Sequence, residues 1–516
     1  MGEWMDGYLT RLSEARAQNL SGGAKEHEAL QHGLCKLTAR ERISMVVDSG
    51  TFEEIGSLVT DTRRPFDGKK RSAPSDGVIM GVARIEGRIV ALYSLDFSVM
   101  SGSLGDQGAW KLVDLTKMAG QNGIPLIGII DSGGERLSMK DGDSGFNGLG
   151  RLLKHTCFYS GVIPRITLLL GPCTGLLSIL PVLTDFVIMN ERAAFLWLGG
   201  EKNSKPAGTA EFHMERSGQC DILASDDEDA VHSLKTLLGY LPENCWKKIP
   251  QLKSGDDPDR KEESLLDVMP DDPKYTYDIH EVIEKIVDNG EFLELKEDFA
   301  THLVTGFCRF DGRVVGLVAN NPDELSGILE PDSSDKYDRF MRFLNAFNIP
   351  LVTLVDTTAF PPGDRWERRG VIRHGAKLLH SYSHLTCPKI TIVLRRSYGG
   401  ANIVLGCSRM FPDFVYAWPT AEFAPTGPET VVHAVFHKAL AKAKQEGKYD
   451  AMFNRYLSIL KEQFSVMNLA KHWTTYYTAH EVIDPRDTRP RIIRALEAVQ
   501  NKVEELPEKK RSIRPA

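Results

Sequence analysis

VARIEGRIVAL (82–92) returns as FCRFDGRVVGL (307–317), with Gly87 and Gly312 standing 225 positions apart. The same spacing links SGSL (101–104) to SGIL (326–329) and IPLIGIID (124–131) to IPLVTLVD (349–356). After one net deletion, IPRITLLL (163–170) answers CPKITIVL (387–394), and DFVIMNERAAF (185–195) answers DFVYAWPTAEF (413–423). A spacing that persists this long marks two copies of one domain.

Both copies read alike. Two β-branched runs around an acidic-Gly-Arg turn, as in RIEGRIVALY, predict a hairpin. A helical stretch follows, DQGAWKLVDLTKMAGQNG (106–123) in the first copy and SDKYDRFMRFLNAFN (334–348) in the second. Then come an apolar strand ending in Asp131 or Asp356, another helix, and another apolar strand. Strands alternating with helices predict an α/β domain with buried, largely parallel strands. The Asp-, Lys- and Pro-rich stretch 251–278 reads as the linker, dividing the chain into domains 1–260 and 261–516. Residues 1–45 and the charged stretch 429–472 read as helical.

Of 516 residues, 42 % are apolar and 26 % charged, which is ordinary globular composition rather than disorder. A net charge of −7 creates no field attractive to nucleic acid or anionic lipid. The start MGEWMDGYLTRL has acids and no apolar core, so no secretory signal is expected. Asp6 stands where a myristoylation signal needs Ser or Thr. The eight cysteines form no CxxC pair, which argues against a zinc ribbon or disulfide framework and fits a reducing cytoplasm. The uncharged run ITLLLGPCTGLLSILPVLT (166–184) has the length of a membrane span. Gly171-Pro172, Gly175 and Pro181 break it up, so the expectation is buried strand, turn and helix.

GPCTGLL (171–177) and RRSYGGA (395–401) fall at one phase of the repeat, each just past the same strand and opening the next helix. A helix start offers unsatisfied N–H groups and the positive end of a dipole. Glycine there lets a ligand oxygen reach consecutive amides, the arrangement of an oxyanion hole. One such seat per copy suggests two reactants, each developing negative charge on oxygen. Arg395 and Arg396 read equally as attractors of that charge or as solvated cations. Asp131 and Asp356 read as turn or cap residues, and His374 as a packed helix residue.

At this point the chain resembles the carboxyltransferase subunit of biotin-dependent acyl-CoA carboxylases, of the propionyl-CoA carboxylase β, methylmalonyl-CoA decarboxylase α and transcarboxylase large-subunit kind. The resemblance spans nearly the whole chain. It is carried jointly by ARERI (39–43), DSGGER (131–136), SGVIP (160–164), GPC (171–173), LTDF (183–186), DSSDK (332–336), AFNIPLVTLVD (346–356), IRHGAKLL (372–379), SYGGA (397–401), YAWPTAE (416–422) and VIDPRDTRPRI (482–492).

That resemblance implies two tandem crotonase-like ββα-spiral domains in a hexameric ring. Acyl-CoA would sit on the N-terminal domain and carboxybiotin on the C-terminal domain of a neighbouring subunit. Gly175 and Leu176 would hold the thioester oxygen as an enolate forms, and Gly400 and Ala401 the ureido oxygen of biotin. Gly133, Gly134, Cys173, Thr174 and Ile403 would line the acyl-CoA, although Cys173 also reads as a small buried filler. Gly399, Tyr398 and Phe360 would flank the biotin, although Tyr398 also reads as core. No side-chain base is implied, because the biotin nitrogen takes the α-proton.

Several positions depart from the family pattern. The family reads GPCAGGA, so Leu176 and Leu177 replace Gly and Ala and are expected to crowd the acyl side. Glu135 stands where the family has alanine. FLWLGGEKNSK (195–205) diverges, Ile403 replaces an aspartate, and DTTAFPPG (356–363) departs from the usual VPGF. No Met-Lys-Met biotinylation site occurs, so biotin carboxylase and the biotin carrier are expected as separate chains. A decarboxylase subunit with a membrane partner, a non-catalytic ring-forming paralogue that binds CoA, and a biotin-free hydratase or isomerase remain as alternatives.

Overall fold

The computed structural model describes residues 2–20, 22–23, 25–60, 73–137, 146–200, 202, 206–272, 275–468 and 478–515. Residues 138–145, residues 201 and 203–205 of the divergent stretch 195–205, and 469–472 of the charged helical region lie outside the described residues. The chain divides into two compact units, Met1–Lys248 and Ile249–Ala516.

In the first unit the strands Val78–Ile85 and Arg88–Leu95 pair antiparallel along their whole length, Val78 against Leu95 and Ile85 against Arg88. Glu86 and Gly87 both take left-handed backbone, φ 50° and 79°, the two-residue turn whose twist suits a hairpin. Asp311 and Gly312 repeat it in the second unit at φ 50° and 71°. The acidic-Gly pair in the sequence is therefore a turn requirement met twice.

Each unit then runs in parallel. Arg88–Leu95, Leu126–Ser132, Arg165–Thr174 and Phe186–Asn190 are successive neighbours in one eight-stranded sheet. Arg313–Asn320, Leu351–Thr357, Lys389–Tyr398 and Phe414–Ala417 follow the same order in the other. The central strands are buried along their length, because helices such as Asp106–Asn122 and Pro331–Ala346 cover them. The uncharged run 166–184 is the strand Arg165–Thr174, a 3₁₀ turn Gly175–Ser178 and a helix Ile179–Val182. Among the described residues no helix is long and apolar enough to cross a membrane. Helices Gly2–Leu20, Lys25–Gly33 and Ala39–Val46 occupy the start, and Pro428–Val435, His437–Gln445 and Tyr449–Phe464 the late charged stretch.

The repeat extends to buried charge. Lys111 and Lys336 occupy equivalent helix positions, and each ammonium donates to two backbone carbonyls of its own unit: Ser75 and Val78, or Lys296 and Phe299. Burial pulls Lys111 down to about 8 and Lys336 to about 7.

Asp131 and Asp356 do more than end their strands. Asp356 is fully buried and receives Arg395 Nε at 2.9 Å and Arg396 Nε at 2.7 Å. Asp131 receives Arg42 Nη1 at 2.8 Å and Lys36 Nζ at 2.7 Å. The reason for the different partners lies one strand over. Strand register equates Gly171 with Arg395, and a Cβ on Gly171 would stand 2.1 Å from Asp131 Oδ1. With no side chain possible there, the cations come from the N-terminal region, Arg42 from the helix Ala39–Val46 and Lys36 from the segment before it. A buried carboxylate needs such partners, so these aspartates are ion-pair hubs rather than simple turn caps.

Candidate functional site

The strand Arg165–Thr174 ends at Gly175, whose φ of 66° turns the chain into the 3₁₀ segment. The strand Lys389–Tyr398 ends at Gly399, φ 64°, which opens the helix Gly399–Val404. Strand pairing equates Gly175 with Gly399, Leu176 with Gly400 and Leu177 with Ala401. The amide pairs read from the sequence, 175/176 and 400/401, are thus one residue out of step with each other. Neither Thr174 nor Tyr398 caps the helix start with its side chain. Thr174 instead donates its hydroxyl to the Gly133 carbonyl at 2.9 Å.

The two leucines expected to crowd the acyl side are not placed alike. Leu177 is fully buried in the core of the first unit, and half-buried Leu176 packs against that same core. What meets the Leu176 amide is Glu135, whose Oε2 accepts from it at 3.0 Å. This amide therefore already holds an anionic oxygen. Glu135 is held in place by backbone: Leu104 donates to the Gly134 carbonyl and Arg136 to the Leu104 carbonyl, both at 2.9 Å. Gly134 takes φ 101°, and a Cβ there would stand 2.8 Å from the Thr174 carbonyl oxygen, so strand end and loop touch through bare backbone. Gly133 is exposed at the same loop, and Cys173 is buried, its thiol pushed up by burial and by the Glu135 charge.

The residue equivalent to Glu135 in the second unit is Phe360. Its half-buried ring lies over the helix start: Cδ2 and Cε2 would be 3.3 and 3.4 Å from a Cβ on Gly400. The ring also abuts Gly375, whose Cβ would meet Cζ at 3.2 Å. Gly400 is exposed, Ala401 is buried, and Ile403 on the same short helix is 38 % exposed. Tyr398 is only 4 % exposed, sits in a hydrophobic cluster with Ala424, Val432 and Phe464, and donates its hydroxyl to Glu422. Burial first, then the Glu422 charge, pushes that phenol up. Arg395 and Arg396 are committed to Asp356 and are not open cations beside the seat. His374 pairs with Asp335 through Nδ1 at 2.8 Å.

Each unit thus combines a positive-φ glycine, a helix start that its own N-cap residue leaves without a side-chain cap, and one covering side chain from the neighbouring loop. Such a start can take the oxygen of a carbonyl that gains negative charge. The covering pair escapes motif reading because a carboxylate and a phenyl ring share no chemistry. The 225-residue spacing, applied at 135, is the signal that finds it.

This duplicated α/β architecture, with its two largely parallel sheets, is of the crotonase-like class. Within it, the chain belongs to the carboxyl transferase domain family, which matches residues 30–513. The propionyl-CoA carboxylase beta chain of Roseobacter denitrificans is 37 % identical, covering 98 % of this chain and 99 % of the relative. The methylmalonyl-CoA decarboxylase subunit alpha of Veillonella parvula is 36 % identical, covering 97 % of each. A crystal structure of transcarboxylase 12S, described as a hexamer assembly with methylmalonyl-coenzyme A and methylmalonic acid bound, superposes with a TM-score of 0.92 at 38 % identity, covering 99 % of both chains.

Proposed function

We propose that this chain is the carboxyltransferase subunit that moves a carboxyl group between carboxybiotin, carried on a separate protein, and the α-carbon of a short acyl-CoA. The observation that carries this reading is the full-length likeness to the transcarboxylase 12S chain with methylmalonyl-coenzyme A bound, on a chain whose two repeats each open a helix with a glycine at the same strand end. Carboxybiotin, when docked, supplies the CO2 and the nitrogen that takes up the α-proton. The amides at Gly175 and Leu176 hold the thioester oxygen as it becomes an enolate, each donor typically worth about 3–4 kcal/mol. Those at Gly400 and Ala401, with Gly399 providing the turn, take the ureido oxygen. The Gly400 cradle, which a Cβ would fill against Phe360, fits a flat group laid on backbone. Gly133, Gly134 and Thr174 shape the acyl side, Ile403 bounds the acyl group, and Tyr398 and Cys173 support from the core.

The assembly proposed is a hexamer in the cytoplasm, served by biotin carboxylase and a biotin carrier protein. A decarboxylase subunit would use the same seats in the opposite direction. A second reading, a ring-forming paralogue that binds CoA without transfer, is favoured by one observation: the Glu135 carboxylate on the Leu176 amide. Purified protein given free biotin and carboxyl-labelled methylmalonyl-CoA separates the two. Label appearing on biotin supports the main reading. A protein that forms rings and moves no label, with any acyl- or malonyl-type CoA, supports the scaffold.

A further inference from the structure

The acyl-side seat is filled by the chain itself. Glu135 Oε2 takes the Leu176 amide at 3.0 Å and would stand 2.3 Å from a Cβ on Gly175. Its repeat equivalent, Phe360, covers Gly400 without offering any oxygen. We propose that Glu135 is an internal competitor for the place of the thioester oxygen and thereby determines which CoA thioesters this chain accepts. The inference rests on the Gly175–Leu176 reading given above.

Two oxygens cannot share one N–H at full strength, so an acyl-CoA must displace the carboxylate before its carbonyl reaches Leu176. The backbone at 135 cannot withdraw, because Gly134 and Arg136 are both tied to Leu104. Only rotation of the Glu135 side chain frees the amide. After rotation the carboxylate stays within a side chain's length of the acyl group. It then repels an acyl group bearing its own carboxylate, at a range where like charges interact strongly. Glu135 therefore weakens binding of all thioesters at this seat, and of α-carboxyacyl-CoAs most.

The test is titration calorimetry of the full chain and its E135A and E135Q variants with propionyl-CoA, methylmalonyl-CoA and free CoA. Free CoA has no thioester oxygen and reports only the rest of the site. E135A is expected to bind propionyl-CoA about tenfold more tightly, equivalent to ~1.4 kcal/mol. Methylmalonyl-CoA should gain more, free CoA nothing, and E135Q should fall between. Equal gains for all three ligands would mean simple widening and overturn the competitor role. Unchanged thioester affinities in E135A would overturn it too. Labelled-carboxyl transfer on the same samples tells the two failures apart. Transfer that persists with unchanged affinities removes Glu135 from the account and leaves the seat standing. If no sample binds either thioester, the seat and the competitor fall together.

Discussion

Gly400→Val isolates the biotin-side seat. Gly400 is outside the left-handed region, so valine meets no backbone penalty there. Its Cβ would stand 3.3 and 3.4 Å from two carbons of the Phe360 ring, and its two methyls add bulk beside backbone that glycine leaves bare. The half-buried ring can yield by a few tenths of an ångström. The stability cost is then that of mild overpacking, about 1–3 kcal/mol. The functional cost is larger, because an oxygen held off one donor loses roughly 10²–10³ in turnover. The variant should melt as a folded protein while its transfer of labelled carboxyl between biotin and acyl-CoA falls by at least about 100-fold. Gly400→Ala, which adds the Cβ alone, should lie between. A folded Gly400→Val that transfers at the wild-type rate would refute the assignment of this seat.

Three further outcomes follow from the buried charges. Asp356→Asn leaves Arg395, only 7 % exposed, without its counter-charge, and should cost about 3–5 kcal/mol in denaturant unfolding; a loss under about 1 kcal/mol would contradict the hub. Gly171→Ala drives a Cβ against Asp131 and should lower the melting temperature through the first unit's Arg42 and Lys36 pairs, with second-unit hydrogen exchange unaltered. His280 is raised from 6.5 to about 9, chiefly by its bond to Glu294 and also by Asp278. A raised folded value stabilises fully below pH 6.5 and loses that contribution as pH rises through about 9. His280→Gln should therefore narrow the difference in melting temperature between pH 6 and pH 9.5 (chosen to lie about half a unit beyond each end of that window), and an unchanged difference would remove His280 from the pH response.

The architecture was legible because duplication doubles every signal. Hairpin turn, buried strand and helix each occur twice at one spacing, so Glu86-Gly87 and Asp311-Gly312 confirm one another. The glycines at 175 and 399 were legible for the same reason. Residues whose partners lie far along the chain were harder to read. Asp131 draws its cations from positions 36 and 42, whereas Asp356 draws them from its neighbouring strand, and no local pattern distinguishes the two. The placement of Leu176 and Leu177 is not legible either, because side-chain size says nothing about direction: Leu177 lies in the core and half-buried Leu176 packs against it. Glu135 stood out as a departure from the family pattern, yet its partner, a backbone amide, leaves no trace in residue types.

The most direct measurement is a structure of this protein with propionyl-CoA bound. The account predicts the thioester oxygen within hydrogen-bond distance of the Leu176 amide, with the Glu135 carboxylate rotated away. A thioester bound with its oxygen elsewhere, while Glu135 still holds that amide, would contradict it.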